Sequence, residues 1–111
     1  MNTTRITMDD VKRINRERGQ HWFSPDTMRF FRSKIETEGA LIGDKYFITS
    51  EQRDYDTPRL YSVRIFDRGT GAVNTVGEFQ EFRSKKAARV FATCMADEND
   101  VETCRRRASF V

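Results

Sequence analysis

A chain of 111 residues with 37% hydrophobic side chains is long enough for one compact domain and too short for two with separate cores. Twenty Lys plus Arg against seventeen Asp plus Glu leave a net charge of only +3, so any attraction to nucleic acid has to come from local clustering. No run of about 18 apolar residues is present to span a bilayer, and the polar start "MNTTRITMDD" lacks the apolar stretch of a signal peptide; the expectation is a cytoplasmic protein with no membrane partner.

In chain order, Thr7 followed three residues later by Asp10 forms a variant capping box, and Met8, Val11 and Ile14 recur at helical spacing until Gly19. The thin apolar stripe predicts a peripheral helix. Lys12, Arg13, Arg16 and Arg18, with Asp9 and Glu17 between them, read as a solvated, ion-paired face. In "FSPDTMRFFRSKIE", Ser24 suits the N-cap, Pro25 the first helical position and Asp26 the N-terminal end of the dipole. Met28, Phe31 and Ile35 then predict one buried stripe.

Strand-like text follows in "YFIT" and in "LYSVRIFD", with the polar loop "SEQRDYDTPR" between them. The glycines of "DRGTG" permit a tight reversal into "AVNTVGEF", so the second and third strands should pair antiparallel. Ser84 caps the last helix, whose apolar stripe is Ala87, Val90, Phe91, Cys94 and Met95. After Ala96, "DENDVETCRRRASFV" has no helical period and predicts a flexible tail. The whole reads as an α+β domain over residues 1–97, a three-stranded antiparallel sheet with helices before and after it (ααβββα), and a tail at 98–111.

Little catalytic chemistry is on offer. His21 is the single histidine and has no partners at metal-ligand spacing, and Ser24 is better used as a cap than as a nucleophile. Gly69, Gly71 and Gly77 lie in hairpin text, unlike a phosphate loop, and the acids around the long loop fit no calcium motif. Cys94 and Cys104 are too few for a disulfide framework; Cys94 is expected as a reduced thiol packed in the last helix. The chain is therefore expected to be non-enzymatic, without metal or cofactor. The conspicuous feature is "SKKAAR": Lys85 and Lys86 open a helix at the end where its dipole is already positive, an arrangement that an anion in front of them would favour. Arg105, Arg106 and Arg107 add basic charge in the tail.

The order helix, three strands, helix, with "SKKAAR" and "PRLYSVRIF", resembles the double-stranded-RNA-binding domain; the resemblance implies that Lys85, Lys86 and Arg89 straddle duplex phosphates. The stretch "VRIFDRGTGAVNTVGEFQEFRSKKAARVFA" is also similar to the three-strand-plus-helix DNA-binding fold of integrase arm domains and plant ethylene-response factors. That likeness implies a reading face of Ser62, Arg64, Phe66 and Asn74. As a whole, "WFSPDTMRFF", "YFITSEQ" and "VGEFQ" look like small accessory proteins of bacteriophages and mobile elements, among which inhibitors of host defence recur.

The leading expectation is a binding module that contacts the phosphates of an RNA or DNA duplex through Lys85, Lys86 and Arg89, with Arg64. The alternative is a phage inhibitor, of the anti-CRISPR type, docking on a host nucleic-acid-associated protein through Asp54, Tyr55 and Asp56, an aromatic anchor with polar neighbours.

Overall fold

A computed structural model describes residues 5–111. The first helix, α1 (Met8–Glu17), starts on the capping box read from the sequence: Thr7 Oγ1 accepts from the Asp10 N–H, and the Asp10 carboxylate accepts from the Thr7 N–H at 3.0 Å. Its outer face is ion-paired, with Arg13 between Asp10 at 3.2 Å and Glu17 at 3.5 Å. The second helix, α2 (Pro25–Phe30), begins at Ser24 with proline in the first turn.

That second helix is shorter than its spacing suggests. Arg32 adopts a left-handed φ of 49°, and the chain then turns into an edge strand, β1 (Lys34–Ile35). A helix of six residues has little cooperative stability of its own, whereas Lys34 and Ile35 pair with Ser50 and Thr49 in the next strand. The expected stripe is thus broken: Ile35 joins a sheet and Phe31 is 42% exposed.

The sheet is fully antiparallel in the order β1, β2 (Tyr46–Glu51), β3 (Leu60–Phe66), β4 (Val73–Val76), with four strands where the sequence suggested three. Strand β2 runs two residues into the text read as loop. The β3–β4 hairpin forms as expected, and Gly71 supplies a positive φ of 78° at its turn. That turn is fastened to α1, because the buried amide of Asn15 donates to the Gly71 carbonyl at 2.7 Å. The other end of the same amide accepts from the Trp22 N–H at 2.8 Å, so one side chain holds helix, hairpin and the α1–α2 corner together.

Every residue of β2 is buried, so both sheet faces are covered. On one, Tyr46, Ile48 and Val63 pack under α3 (Lys85–Ala96), which lays down Ala87, Ala88, Phe91, Ala92 and Cys94. On the other, Phe47 and Phe66 pack with Met8 and Val11 of α1 and with Leu41. The remainder of that second face is polar.

Residues 98–111, expected as a flexible tail, contain α4 (Val101–Ala108), capped by Asp100 and packed on α3 through Cys104 and Ala108. Cys94 is not a free thiol; it is bonded to Cys104, with the two Cα atoms 5.4 Å apart. Eight residues with a weak apolar pattern gain a partner helix and a covalent tie, neither of which local periodicity encodes. No helix among the described residues is long and apolar enough to cross a membrane.

Candidate nucleic-acid interface

Ser84 begins α3 as the sequence suggested, its hydroxyl accepting from the Ala87 N–H at 3.0 Å. The N–H groups of Lys85 and Lys86 lie in the first turn, outside the helical ladder. Lys85, Lys86 and Arg89 are all exposed. They are not equivalent, because Lys85 Nζ lies 3.7 Å from Glu36 Oε1 beside β1 and its charge is partly answered. Lys86 and Arg89, three residues apart on one helical face, have no carboxylate within ion-pairing distance among the described residues.

The α3–α4 hairpin brings further cations to this end of the molecule. Lys86, Arg89, Val90 and Thr93 of α3 and Arg107 of α4 line one surface groove of about 420 Å³, with Asp97 at its far end. Arg83 and Arg106 line a second groove on the opposite flank of α4. Arg105 is occupied: it is bonded to Glu81 and to Glu102, the latter at 2.8 Å. Burial raises the Glu81 carboxyl, but the hydrogen bonds from Arg105 and from the Glu78 N–H, with the Arg105 charge, outweigh it and hold Glu81 below the usual carboxylate range. The Cys94–Cys104 bond fixes α4 against α3, and Arg107, whose Nη1 donates to Cys94 Sγ at 3.5 Å, lines the same groove as Arg89.

Arg64, expected to face outward with these cations, is 7% exposed and lies on the opposite side of the sheet from α3. It donates from Nε to Thr49 Oγ1 at 3.0 Å, from Nη2 to Glu51 Oε2 at 2.9 Å and from Nη1 to Thr75 Oγ1. Glu51 also accepts from Thr49 and, at 2.7 Å, from Ser62. A buried ion is tolerated only where it is paired and hydrogen-bonded in this way. Ser62 and Phe66 are buried as well, so of the four residues suggested as a reading face only Asn74 is exposed.

The alternative docking residues stand where the sequence put them. Asp54, Tyr55 and Asp56 are exposed, Tyr55 at 82%, on a turn closed by hydrogen bonds between Asp54 and Thr57. Arg32 sits 5.8 Å above the Tyr55 ring. Arg106 and Arg107, expected as basic charge on a flexible tail, are instead carried on α4. Their only visible signal was the arginine triplet, and its meaning depended on an unrecognised helix.

Residues 7–93 match a family of unknown function, DUF7447. The chain belongs to that family. No curated protein and no solved structure matches the chain. The matched segment includes Lys86, Arg89 and the Glu51–Arg64 network, and it ends one residue before Cys94, so α4 and its disulfide lie outside the part shared with the DUF7447 family.

Proposed function

We propose that this DUF7447 protein is a non-enzymatic module that binds the phosphate backbone of a nucleic-acid duplex at the basic end of the α3–α4 hairpin. The observation that carries the reading is the groove along α3 that Lys86, Arg89 and Arg107 line with no ion-paired carboxylate among the described residues. Cations on a rigid scaffold suit phosphates, and contacts of this kind position a duplex without reading its sequence. Lys85 contributes less, through its pairing with Glu36, and Arg64 contributes none. Because each phosphate contact releases condensed counterions, affinity for a labelled RNA or DNA duplex should fall steeply and linearly in log–log form with added salt. Binding that is absent at low salt, or insensitive to salt, contradicts the reading.

The exposure of Tyr55 on a self-bonded turn favours a second reading, docking of the Asp54–Tyr55–Asp56 loop on a host protein as a phage-encoded inhibitor of defence would do. Tyr55→Ala would then release a co-purified host protein and leave duplex binding unchanged.

A further inference from the structure

On the sheet face opposite α3, a cavity of about 570 Å³ opens between α2 and the β3–β4 side of the sheet. Its walls are Trp22, Phe30, Phe31 and Phe79, and Arg64 lies among them. Three segments distant in the chain build it, residues 22–33, Arg64 and Phe79, and three of the rings run in series: Phe30 to Phe31 at 4.7 Å and Phe31 to Phe79 at 5.0 Å between centroids. The Arg64 guanidinium is held between the Trp22 ring at 5.3 Å and the Phe79 ring at 5.4 Å. Burial does not account for these rings, since Phe30 is 77% and Phe79 40% exposed. Three non-glycine residues with positive φ, His21, Arg32 and Gln80, are each the immediate neighbour of a ring in the wall, Trp22, Phe31 and Phe79. The chain adopts an unfavourable backbone beside each of them, and such conformations persist where the surroundings hold a functional geometry.

The polar equipment of the cavity narrows what fits. A guanidinium carries five N–H groups. Arg64 commits three of them, to Thr49, Thr75 and Glu51, which leaves one N–H on each terminal nitrogen without an acceptor among the described residues. Its side chain is 9% exposed and lines the cavity, so a molecule seated there would replace water at what remains accessible of the guanidinium. Asp26, whose side chain is 89% exposed and whose Oδ1 is paired with Arg29, stands at the open rim of the same cavity with no hydrogen bond to its second carboxylate oxygen among the described residues. A ligand therefore needs a planar π-face for the rings, two neighbouring acceptors for Arg64 and a donor edge for Asp26.

We infer that this cavity binds an unpaired guanine base, stacked among Trp22, Phe30, Phe31 and Phe79, with O6 and N7 accepting from Arg64 and the N1–H and amino group facing Asp26. Guanine is the base whose neighbouring acceptors suit an arginine fork, and ring stacking is the usual means of holding an unstacked base. Adenine offers a donor where guanine has O6, and it lacks the N1–H. The site lies on the other side of the sheet from the α3–α4 groove and does not rest on the phosphate reading.

Trp22 is the single tryptophan of the chain and forms part of the wall, so its emission reports occupancy directly. Guanosine monophosphate should quench it saturably, with free tryptophan amide as the absorption control, and adenosine, cytidine and uridine monophosphates should bind at least about tenfold more weakly. Phe30→Ala and Phe79→Ala, each checked for an unchanged circular dichroism spectrum, should each weaken guanosine monophosphate by about tenfold. A single-stranded oligoguanylate too short to fold should bind more tightly than the mononucleotide if the base belongs to a strand, and no tighter if the ligand is a free nucleotide. Either of these results fits a guanine site. Quenching that does not saturate, equal affinity for adenosine and guanosine monophosphates, or folded Phe30 and Phe79 variants that bind as the wild type does, overturns the inference.

Discussion

Arg64 and Glu51 meet across β3 and β2, Nη2 to Oε2 at 2.9 Å, on a sheet face where the carboxylate is fully buried. The pair is bracketed by Thr49, Ser62 and Thr75, so each of its nitrogens and oxygens has a hydrogen-bond partner, with one N–H on each terminal nitrogen of Arg64 left over. Such an arrangement contributes little net stability as a whole, but removing one member strands a charge. Glu51→Ala should therefore lower unfolding free energy by about 3–5 kcal/mol in urea titration. The double change Glu51→Leu with Arg64→Met should lose much less. A Glu51→Ala protein as stable as the wild type would show that the ion pair is not formed.

Phe91 and Phe31 both look like core residues in sequence and should now separate. Phe91 is fully buried between α3 and the sheet, so Phe91→Ala should cost about 3–5 kcal/mol. Phe31→Ala, at a half-open site, should cost well under half of that. Equal losses in thermal or chemical denaturation would contradict the placement of α2.

The contrast shows where the sequence was legible. Caps at Thr7, Ser24 and Ser84 are local hydrogen-bond devices, and each begins a helix where it was expected. The β3–β4 hairpin likewise follows from neighbouring glycines. What failed depends on distant partners: the register of β1 against β2, the packing of α4 on α3, and the role of Asn15. Arg64 is the clearest case. Alternation puts it on the face away from Val63, yet only the long-range approach of Trp22 and Phe79 decides that this face is covered. For the candidate interface, Lys86, Arg89 and the arginine triplet were visible in the sequence, but not that Arg107 lines the same groove, because the helix that places it lies in weakly patterned text.

Reducing the Cys94–Cys104 bond should destabilise the protein by about 2–3 kcal/mol, as expected for a closed loop of roughly ten residues. Amide exchange should rise first in Val101–Ala108, while Phe91 and its neighbours in α3 stay protected. Cys104→Ser should reproduce the effect without reductant. Unchanged exchange in α4 would show that packing alone holds it.

Asp10, Asp100 and Glu81 all lie below the ordinary carboxylate range: Asp10 through the Thr7 N–H, Arg13 and the Thr7 hydroxyl, Asp100 through Thr103, and Glu81 through Arg105 and the Glu78 N–H. A folded-state value below the unfolded one contributes stability that is present above the unfolded value, about 4, and is lost as pH falls through the folded value. The melting temperature should hold near neutral pH and fall on acidification below about 4. Glu81→Gln should lower it near neutral pH by an amount corresponding to about 0.5–1 kcal/mol and make the acid limb shallower. An unaltered acid limb would remove Glu81 from the account.

The phosphate-binding claim is met most directly by Lys86→Glu with Arg89→Glu, measured by fluorescence anisotropy on a labelled duplex across a salt series. Both side chains are exposed and have no ion-pair partner among the described residues, so the melting temperature should stay within the range of ordinary surface changes. Affinity should fall at least about tenfold, and the slope of log affinity against log salt should shrink by about two, one for each lost phosphate contact. Lys85→Gln, which removes a lysine already paired with Glu36, should have a smaller effect. A folded double variant with wild-type affinity and wild-type salt slope would contradict phosphate binding at the α3–α4 groove.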